Sequence, residues 1–162
     1  MSSSSRQLAT VTHQQALSLL AGVDLGRIVF TAHAMPAIRP ASHLIEQGDL
    51  IVRSHDGSVV TLAGDAAELA VGDEGITGAE RNTVVAYQAD ALDTNARLGW
   101  SVVITGTAEP VLDSADRERY ASALEPWTAA EGQILRIHPG IVTGYRVVEP
   151  TETEPIEPVG SC

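Results

Sequence analysis

Apolar and polar residues alternate with a period of two along much of this chain, and this alternation constrains the fold more than any other feature. From Gly26 the pattern has a period of two: residues 26–32 are β-branched and apolar, residues 35–44 alternate, and residues 50–55 follow the turn signal Gln47-Gly48-Asp49. Such alternation predicts strands, and strands joined by short turns pair antiparallel. Two prolines within residues 35–44 predict that this strand lies at a sheet edge or is irregular.

The rest of the sequence predicts two helices and four further strands. The capping box Thr12-His13-Gln14-Gln15 predicts a short amphipathic helix over residues 13–21, and an aspartate cap predicts a second helix over residues 113–124. The four strands are expected at residues 82–89, at residues 99–111 with a bulge or kink at Gly106, and at residues 133–138 and 141–148, which a turn at Pro139-Gly140 joins.

Seven strands with few short helices predict a mainly β fold with peripheral helices, of the α+β type. Parallel strands would need more crossover helices than the sequence offers, so we expect an antiparallel barrel. The folded domain is expected over residues 11–148, between a disordered leader at residues 1–10 and a disordered acidic Pro/Glu tail at residues 149–162. Residues 59–70 have an ambiguous helical pattern, and residues 71–80 are typical of a loop.

Charge and composition restrict the partners and the compartment. The 162 residues include ten arginines, no lysine and 21 acidic residues, for a formal net charge of −11. The arginines are scattered, which argues against nucleic acid and against anionic membrane surfaces as partners. No apolar run approaches the roughly 20 residues of a transmembrane helix. The polar residues 1–6 do not resemble a signal peptide, and the single cysteine is the last residue, so we expect a cytoplasmic protein.

A group of Arg, Ser and His residues lies on the strands near the middle of the chain. Arginine offers a fork of charged donors and serine adds neutral donors, a combination that suits a phosphate or another anion. A two-residue turn at Gln47-Gly48 would place Ser42 opposite Arg53, whereas a longer turn would place Ala41 there; either register puts Arg53 and His55 on one face. Solvated arginines and ordinary turn serines are the alternative interpretation. The group comprises Arg39, Ser42, His43, Arg53, Ser54, His55 and Ser58.

Other kinds of site find little support. His33, His43 and His55 are ten and twelve residues apart, unlike a typical pair of metal ligands, so no metal site is predicted; a single histidine as an axial haem ligand stays open. The sequence has no nucleophile elbow, Walker A motif or G-x-G-x-x-G loop. Trp100 and Trp127 could pack against a flat heteroaromatic ligand. The alternative is that they pack in the core or at a dimer interface.

Six segments follow one another in a typical order and spacing. They are Gly26-Arg27-Ile28-Val29-Phe30, Pro36-Ala37-Ile38-Arg39-Pro40 running to His43-Leu44, residues 50–55 followed by Gly57-Ser58, residues 84–90, Gly99-Trp100-Ser101-Val102-Val103-Ile104-Thr105-Gly106, and Ile137-His138-Pro139 with Gly144. Together they resemble the pyridoxamine 5′-phosphate oxidase-like family of flavin-binding split barrels, and especially its smaller actinobacterial-type members. The resemblance covers residues 10–148.

The resemblance implies a six-stranded split barrel that works as a homodimer with two cofactor sites at the subunit interface. FMN is the usual ligand, with deazaflavin or haem in some branches. Family members place the cofactor phosphate against an arginine of the second strand, which corresponds to Arg39. They also use the end of the third strand and a following serine, and a residue that begins the long later strand approaches the isoalloxazine ring. These positions correspond to Arg53, Ser54, His55 and Ser58, and to Trp100 or Ser101.

Departures from the family pattern limit what the resemblance implies. The oxidase itself carries lysines where this chain has Leu44 and Val60, so that Arg53 and His55 would have to supply the missing charge. Arg136-Ile137-His138 matches the Arg-x-His pattern of the oxidase's C-terminal substrate-binding motif. Here, however, it precedes a predicted strand-turn-strand and does not stand at the C-terminus. We therefore do not expect oxidation of pyridoxamine phosphate.

The sequence thus predicts an FMN-binding or deazaflavin-binding oxidoreductase that acts on a small organic molecule, with its cofactor held by phosphate contacts at a dimer interface. Arg39 and Arg53 are expected to hold the phosphate, and His43 to contact cofactor or substrate. The alternative is a non-catalytic carrier of flavin, deazaflavin or haem. The expected neutral donors to the phosphate are Ser42, Ser54 and Ser58.

Overall fold

The computed structural model describes residues 6–55, 83–127 and 132–150. The expectations for Ser58 and for residues 1–5, 59–80 and 151–162 lie outside these described residues. In chain order the elements are β1 (Gln7–Thr10), α1 (His13–Ala21), β2 (Leu25–Ala32), β3 (Met35–Glu46), β4 (Asp49–Ser54), β5 (Thr83–Asp93), β6 (Leu98–Pro110), α2 (Ser114–Ala123) and β7 (Ile134–Val148).

The strands of the described part of the chain form a closed antiparallel barrel. Six of them follow one another in the order β7, β4, β3, β2, β5 and β6, and a further ladder between β6 and β7 completes the circle. β1 adds a seventh strand beside β7. Closure removes exposed sheet edges, which is how antiparallel folds of this kind protect their backbone groups. The expected six- to seven-stranded split barrel with peripheral helices is confirmed.

The first strand corrects the expectation of a leader without structure. Gln7–Thr10 form β1, in which Gln7 lies opposite Val148 and Thr10 opposite Tyr145 of β7. All four residues of β1 are exposed, so no alternation of hydrophobicity marks the strand in the sequence. Its partner strand, β7, lies near the other end of the amino-acid sequence. Pairing between segments so far apart in the chain leaves no local signal in the sequence.

The last strand corrects the expected hairpin at Pro139-Gly140. β7 is continuous and pairs with β6 on both sides of a register shift, with Thr105 opposite Ile141 and Gly106 opposite Pro139. The irregularity lies beside Gly106, where a bulge or kink was expected, but the extra residue is Gly140 of β7. Proline lacks a backbone N–H, and a bulge is one of the few places in a sheet that tolerates it.

The first helix has the ends that its sequence predicts. The Thr12 hydroxyl accepts a hydrogen bond from the Gln15 backbone, and the Gln15 side chain accepts one from the Thr12 backbone, so the capping box is present. Ala16 and Leu20 are buried in the main core together with the inward residues of the strands. Neither helix of the described residues is long and apolar enough to span a bilayer.

The second helix gives β4 a second buried face. α2 begins one residue after its predicted aspartate cap. Leu50 and Val52 of β4 belong to the main core, whereas Ile51, between them, packs with Tyr120 and Leu124 of the α2 region. Successive residues of a strand point to opposite faces. One face of β4 therefore lies against the barrel interior and the other under α2.

The turn between β3 and β4 settles the register of the central strands. Gln47 has a φ of 52° and Gly48 a φ of 87°, the combination of a two-residue hairpin turn. Ser42 consequently lies opposite Arg53, and Ala41 opposite Ser54. The shorter of the two turns that the sequence allows is confirmed.

The first half of β3 lies at an edge, as its prolines predict. Within the described structure, residues 35–40 form a ladder only with β2, residues 41 and 42 with both β2 and β4, and residues 43–46 with β4 alone. Pro36 and Pro40 therefore need no N–H toward a second neighbour. Arg39 lies in this half, close to the point where β3 and β4 part.

Candidate functional site

Strand alternation divides the predicted site residues between two faces of the β3–β4 pair. Because residues directly opposite each other share a face, Ser42, Arg53 and His55 lie on the side of α2. Ser54 lies opposite Ala41 on the other face, and Arg39, two residues before Ala41, shares that face. The structure therefore separates the predicted phosphate ligands Arg39 and Arg53.

On the α2 side, His55 is held between Ser42 and Trp127. The Trp127 backbone N–H donates to His55 Nδ1 over 3.3 Å, so Nε2 carries the ring proton and donates to Ser42 Oγ over 2.6 Å. The Trp127 indole stacks on the imidazole with ring centroids 4.9 Å apart. Trp127 is 68% exposed and lines a cavity of about 410 Å³ that Ser42 also lines. Ser42 and His55 are thus hydrogen-bonded to each other, and Trp127 packs against His55 and lines the adjacent cavity.

Arg53 turns away from this pair toward the end of α2. Its side chain is buried, and Nη1 donates to the carbonyl oxygens of Ala121 over 3.1 Å and Leu124 over 3.0 Å. The last carbonyls of a helix have no partner within the helix and carry partial negative charge. Arg53 therefore closes the C-terminus of α2, a role that the strand pattern did not predict.

His43 faces the barrel interior. Its Nε2 donates to the Leu20 carbonyl oxygen over 2.8 Å, and Nδ1 lies 2.7 Å from the Tyr87 hydroxyl oxygen, which also lies 2.9 Å from the Ala41 carbonyl oxygen. Burial lowers the pKa of His43 from its ordinary value, against the opposing effects of Leu20 and Asp24. Burial likewise raises the pKa of Tyr87 far above its usual range. In this structure His43 joins α1 to the barrel core.

Arg39 and Ser54 form the second group of predicted site residues. Arg39 is half-buried, and its Nη1 donates to the Ile38 carbonyl oxygen over 2.8 Å. Ser54 is buried, and the backbone of Gly132 lies directly against it: a Cβ on Gly132 would be 2.9 Å from Ser54 Oγ. This face brings a guanidinium and a hydroxyl to the point where β3 and β4 part.

Trp100 and Ser101 point to different sides of β6. Trp100 is partly buried and packs against the main core. Ser101 Oγ accepts a hydrogen bond of 3.4 Å from Gln88, which also donates to Asp90 over 2.6 Å and accepts from Arg27 over 3.4 Å. These four polar residues form a row on the outer face of β2, β5 and β6. Alternation in β2 and β5 was the signal that could have revealed Gln88 and Arg27.

A row that is apolar except for Thr105 runs beside this polar row on the outer surface. The register aligns Ile38 with Val29, Val29 with Ala86, Ala86 with Thr105, and Thr105 with Ile141, so the row crosses five strands. Ile38 is 57% exposed and Ile141 is 63% exposed. An apolar strip of this length next to polar groups is typical of a surface that another molecule covers.

Comparison with known proteins identifies the family. The profile described as pyridoxamine 5′-phosphate oxidase matches residues 12–146, which is most of the chain. The chain belongs to this family. The match includes all seven strands except β1 and the last two residues of β7.

Three relatives of this pyridoxamine 5′-phosphate oxidase family member cover nearly its whole length. Rv0080, an uncharacterized protein of Mycobacterium tuberculosis, is 40% identical over 151 residues, spanning 93% of this chain and 92% of the relative. A candidate pyridoxamine 5′-phosphate oxidase of Corynebacterium glutamicum is 25% identical, with a TM-score of 0.60 over 88% of this chain and 95% of that chain. A FAD-binding protein of Mesorhizobium loti shares the fold with a TM-score of 0.62 at 19% identity, over 90% of this chain and 100% of that chain.

In this family member, charged residues surround the hydroxyl of Tyr120. Tyr120 donates to Glu46 and accepts from Arg136 over 2.8 Å and from Arg119 over 3.2 Å. Hydrogen bonds from Arg119 and then from Tyr120 lower the pKa of Glu46 to about 2. This network could not be predicted from the sequence, because its members come from three separate elements, β3, α2 and β7.

His138 of the same region bridges two carboxylates. Nδ1 lies 2.9 Å from Asp49 and Nε2 lies 3.1 Å from Glu109. Burial lowers the pKa of His138, but the hydrogen bonds to Glu109 and Asp49 outweigh it, so the net shift is upward. Arg136 also contacts Asp49, over 3.2 Å. Arg136 and His138 of this family member thus bind carboxylates of the same chain, those of Asp49 and Glu109.

This bridge predicts an alkaline loss of stability. The raised pKa of His138 means that its contribution is complete below pH 6.5 and is lost as the pH rises from 6.5 through the folded-state value. We expect that His138→Gln no longer shows this part of the fall in the free energy of unfolding with rising pH. The difference should be small, because the His138 side chain is partly exposed. Urea denaturation at about pH 5.5 and about pH 8.5 would measure it. His13→Gln is the control, and an unchanged decline in His138→Gln would contradict the prediction.

Proposed function

We propose that this chain binds a flavin, in the first place FMN, as a homodimer, and uses it to oxidise or reduce a small organic molecule. The observation that carries the proposal is the shared face of Arg39 and Ser54, which follows from the pairing of Ala41 with Ser54. A guanidinium fork and a hydroxyl are the donors that a phosphate monoester requires. The residues present therefore fit the phosphate end of a flavin nucleotide.

The outer surface supports a homodimer. A second copy of the chain would cover the exposed apolar row that ends in Ile38 and Ile141. The polar row of Arg27, Gln88, Asp90 and Ser101 lies directly beside it and would then border a cleft between the two copies. Such a cleft would offer hydrogen-bonding groups to the polar edge of a flavin ring.

The chemistry in this proposal is divided between the cofactor and the chain. A bound flavin supplies hydride and electron transfer, while the chain anchors the phosphate, orients the ring and limits its contact with water. The Mesorhizobium loti relative is described as FAD-binding, so FAD belongs in the same test, together with deazaflavin. Haem ligation by His43, His55 or His138 has less support, because both ring nitrogens of each are hydrogen-bonded.

The proposal predicts that Arg39→Gln loses affinity for FMN. Removing one charge-assisted contact to a phosphate is expected to weaken binding about 10- to 100-fold. Riboflavin has the same ring but no phosphate, so its affinity should be the same in the variant and in the parent protein. Quenching of flavin fluorescence during titration would measure both affinities, and sedimentation would give the number of chains and flavins in the complex.

The controls separate the parts of this proposal. Arg6→Gln removes another arginine, one that precedes β1 and pairs with Glu149 over 3.6 Å, and should leave FMN affinity unchanged. Equal losses for FMN and riboflavin in Arg39→Gln would refute the phosphate contact. Sustained electron transfer from a reduced nicotinamide to an acceptor would support an oxidoreductase, whereas tight binding without turnover would support a carrier. Failure to bind FMN, FAD or deazaflavin would refute the proposal as a whole.

A further inference from the structure

A cavity of about 530 Å³ lies between α2, β4 and the segments that precede α2 and β7. It shares no lining residue with the cavity beside Trp127. Val111, Leu112 and Ile134 contribute apolar walls, and Arg53 and Arg117 contribute positive charge. Cavities of a few hundred Å³ with mostly apolar walls and a few convergent polar groups are typical of small-molecule sites.

Arg53 lines this cavity, and its guanidinium is incompletely satisfied. Nη1 is bound to the Ala121 and Leu124 carbonyl oxygens, but Nε is buried and has no hydrogen-bond partner among the described residues. Arg53 is only 7% exposed, so bulk water does not supply the hydrogen bond that Nε lacks. A buried N–H of a charged group without an acceptor is costly, and native structures seldom leave one so.

The orientation of Arg53 selects the kind of acceptor. Nε and Nη2 form the lateral edge of a guanidinium, whose two parallel N–H bonds match the two oxygens of a carboxylate. The contacts of Nη1 with α2 hold the plane of the group in place, so this edge is preorganised. A ligand that bound there would lose little of its binding energy to ordering the protein.

The charges around the cavity define the ligand further. Arg53 and Arg117 against Glu118 leave one net positive charge, in a protein whose formal net charge is −11. One positive charge suits a monoanion better than a phosphate dianion. We propose that this cavity binds a small monocarboxylate with an apolar body, whose carboxylate rests on the lateral edge of Arg53 and whose body packs on Val111 and Ile134.

This inference does not rest on the proposed flavin site. Arg39 and Ser54 do not line the cavity, and neither does any residue of the polar outer row. A protein that binds flavin but no carboxylate, or carboxylate but no flavin, would distinguish the two proposals. Competition between FMN and a carboxylate would show that the cavity receives the flavin phosphate, and would overturn the assignment of a separate site.

The first experiment observes Arg53 directly. In proton–nitrogen correlation spectra, benzoate is expected to shift the Nε–H resonance of Arg53, because the new hydrogen bond forms at that atom. Benzyl alcohol has a similar body without the charge and should leave the resonance in place, and phenyl phosphate tests the dianion. Arg53→Lys identifies the resonance by its loss. A benzoate titration that leaves this resonance unchanged would overturn the proposal.

Two substitutions at the cavity test it even if Arg53→Lys does not fold. Arg117 and Glu118 are exposed neighbours on α2 with opposite charges, and both line the cavity. Arg117→Gln should weaken benzoate binding about two- to fivefold, and Glu118→Gln should strengthen it by a similar factor. Arg97→Gln, in the turn between β5 and β6, is the control. Equal affinities in the Arg117 and Glu118 variants, or equal affinities for benzoate and benzyl alcohol, would overturn the proposal.

Discussion

Gly99→Ala is expected to lower the free energy of unfolding by about 4 kcal/mol or more, the largest loss that we predict for a single methyl group. Gly99 has a φ of +140°, which residues with a side chain rarely adopt. A Cβ there would lie 2.1 Å from the Ala91 carbonyl oxygen and 2.9 Å from Leu92 Cα. Both atoms belong to the backbone of β5, so the clash can be relieved only by separating two strands of the barrel.

Gly48→Ala is the matched control for this prediction. Gly48 also has a positive φ, +87°, but a Cβ there would meet no atom within 4 Å. Its cost is the backbone strain alone, about 1 kcal/mol. Urea denaturation of both variants would measure the difference. Similar losses at the two positions would show that the close approach of β5 and β6 at Gly99 does not limit stability.

Tyr87→Ala is expected to cost about 4 kcal/mol, because it removes a fully buried aromatic side chain from the main core. The loss has two parts. The ring fills the barrel interior beside His43, with ring centroids 5.1 Å apart. The hydroxyl oxygen lies 2.9 Å from the Ala41 carbonyl oxygen and 2.7 Å from His43 Nδ1, and it shares its one proton between these two acceptors. Removing the whole side chain leaves a cavity and deprives two buried polar atoms of their partner.

Tyr87→Phe separates these two parts. It keeps the ring and removes only the hydroxyl, so we expect a loss of about 1–3 kcal/mol from the unsatisfied polar atoms. Tyr145, which is 41% exposed, offers a control: Tyr145→Phe should change stability very little. Denaturation of the three variants under the same conditions would provide the comparison. A Tyr87→Phe variant as stable as the parent protein would mean that water satisfies Ala41 and His43.

Most elements of the barrel could be predicted from the sequence, and the two errors have physical causes. β2 to β6 follow from alternating or β-branched apolar segments and the turn signals between them, and both helices follow from their caps. β1 was missed because its exposed residues are held only by pairing with a strand far away in the chain. The turn expected at Pro139-Gly140 is a bulge, because β6 continues past it and keeps β7 extended. Proline and glycine favour both structures, so their presence does not distinguish a turn from a bulge.

The candidate site was predictable in composition but not in arrangement. Alternation correctly placed Arg53 and His55 on one face, and the turn at Gln47-Gly48 decided which residues lie opposite them. The alternation of side chains along a strand shows which face a residue is on, but not where the end of a long side chain lies. Arg53 was expected to hold a phosphate together with Arg39, but its guanidinium extends under α2.

The sequence by itself determined the features that depend on close neighbours in the chain: the strands with a period of two, the helix caps, the turn between β3 and β4, and the family. Only the tertiary structure decided the features that depend on distant partners. Arg53 binds the carbonyl oxygen of Leu124, 71 positions away, and Tyr120 meets Glu46, 74 positions away. A local pattern contains no information about such contacts, because closure of the barrel and docking of α2 bring the partners together.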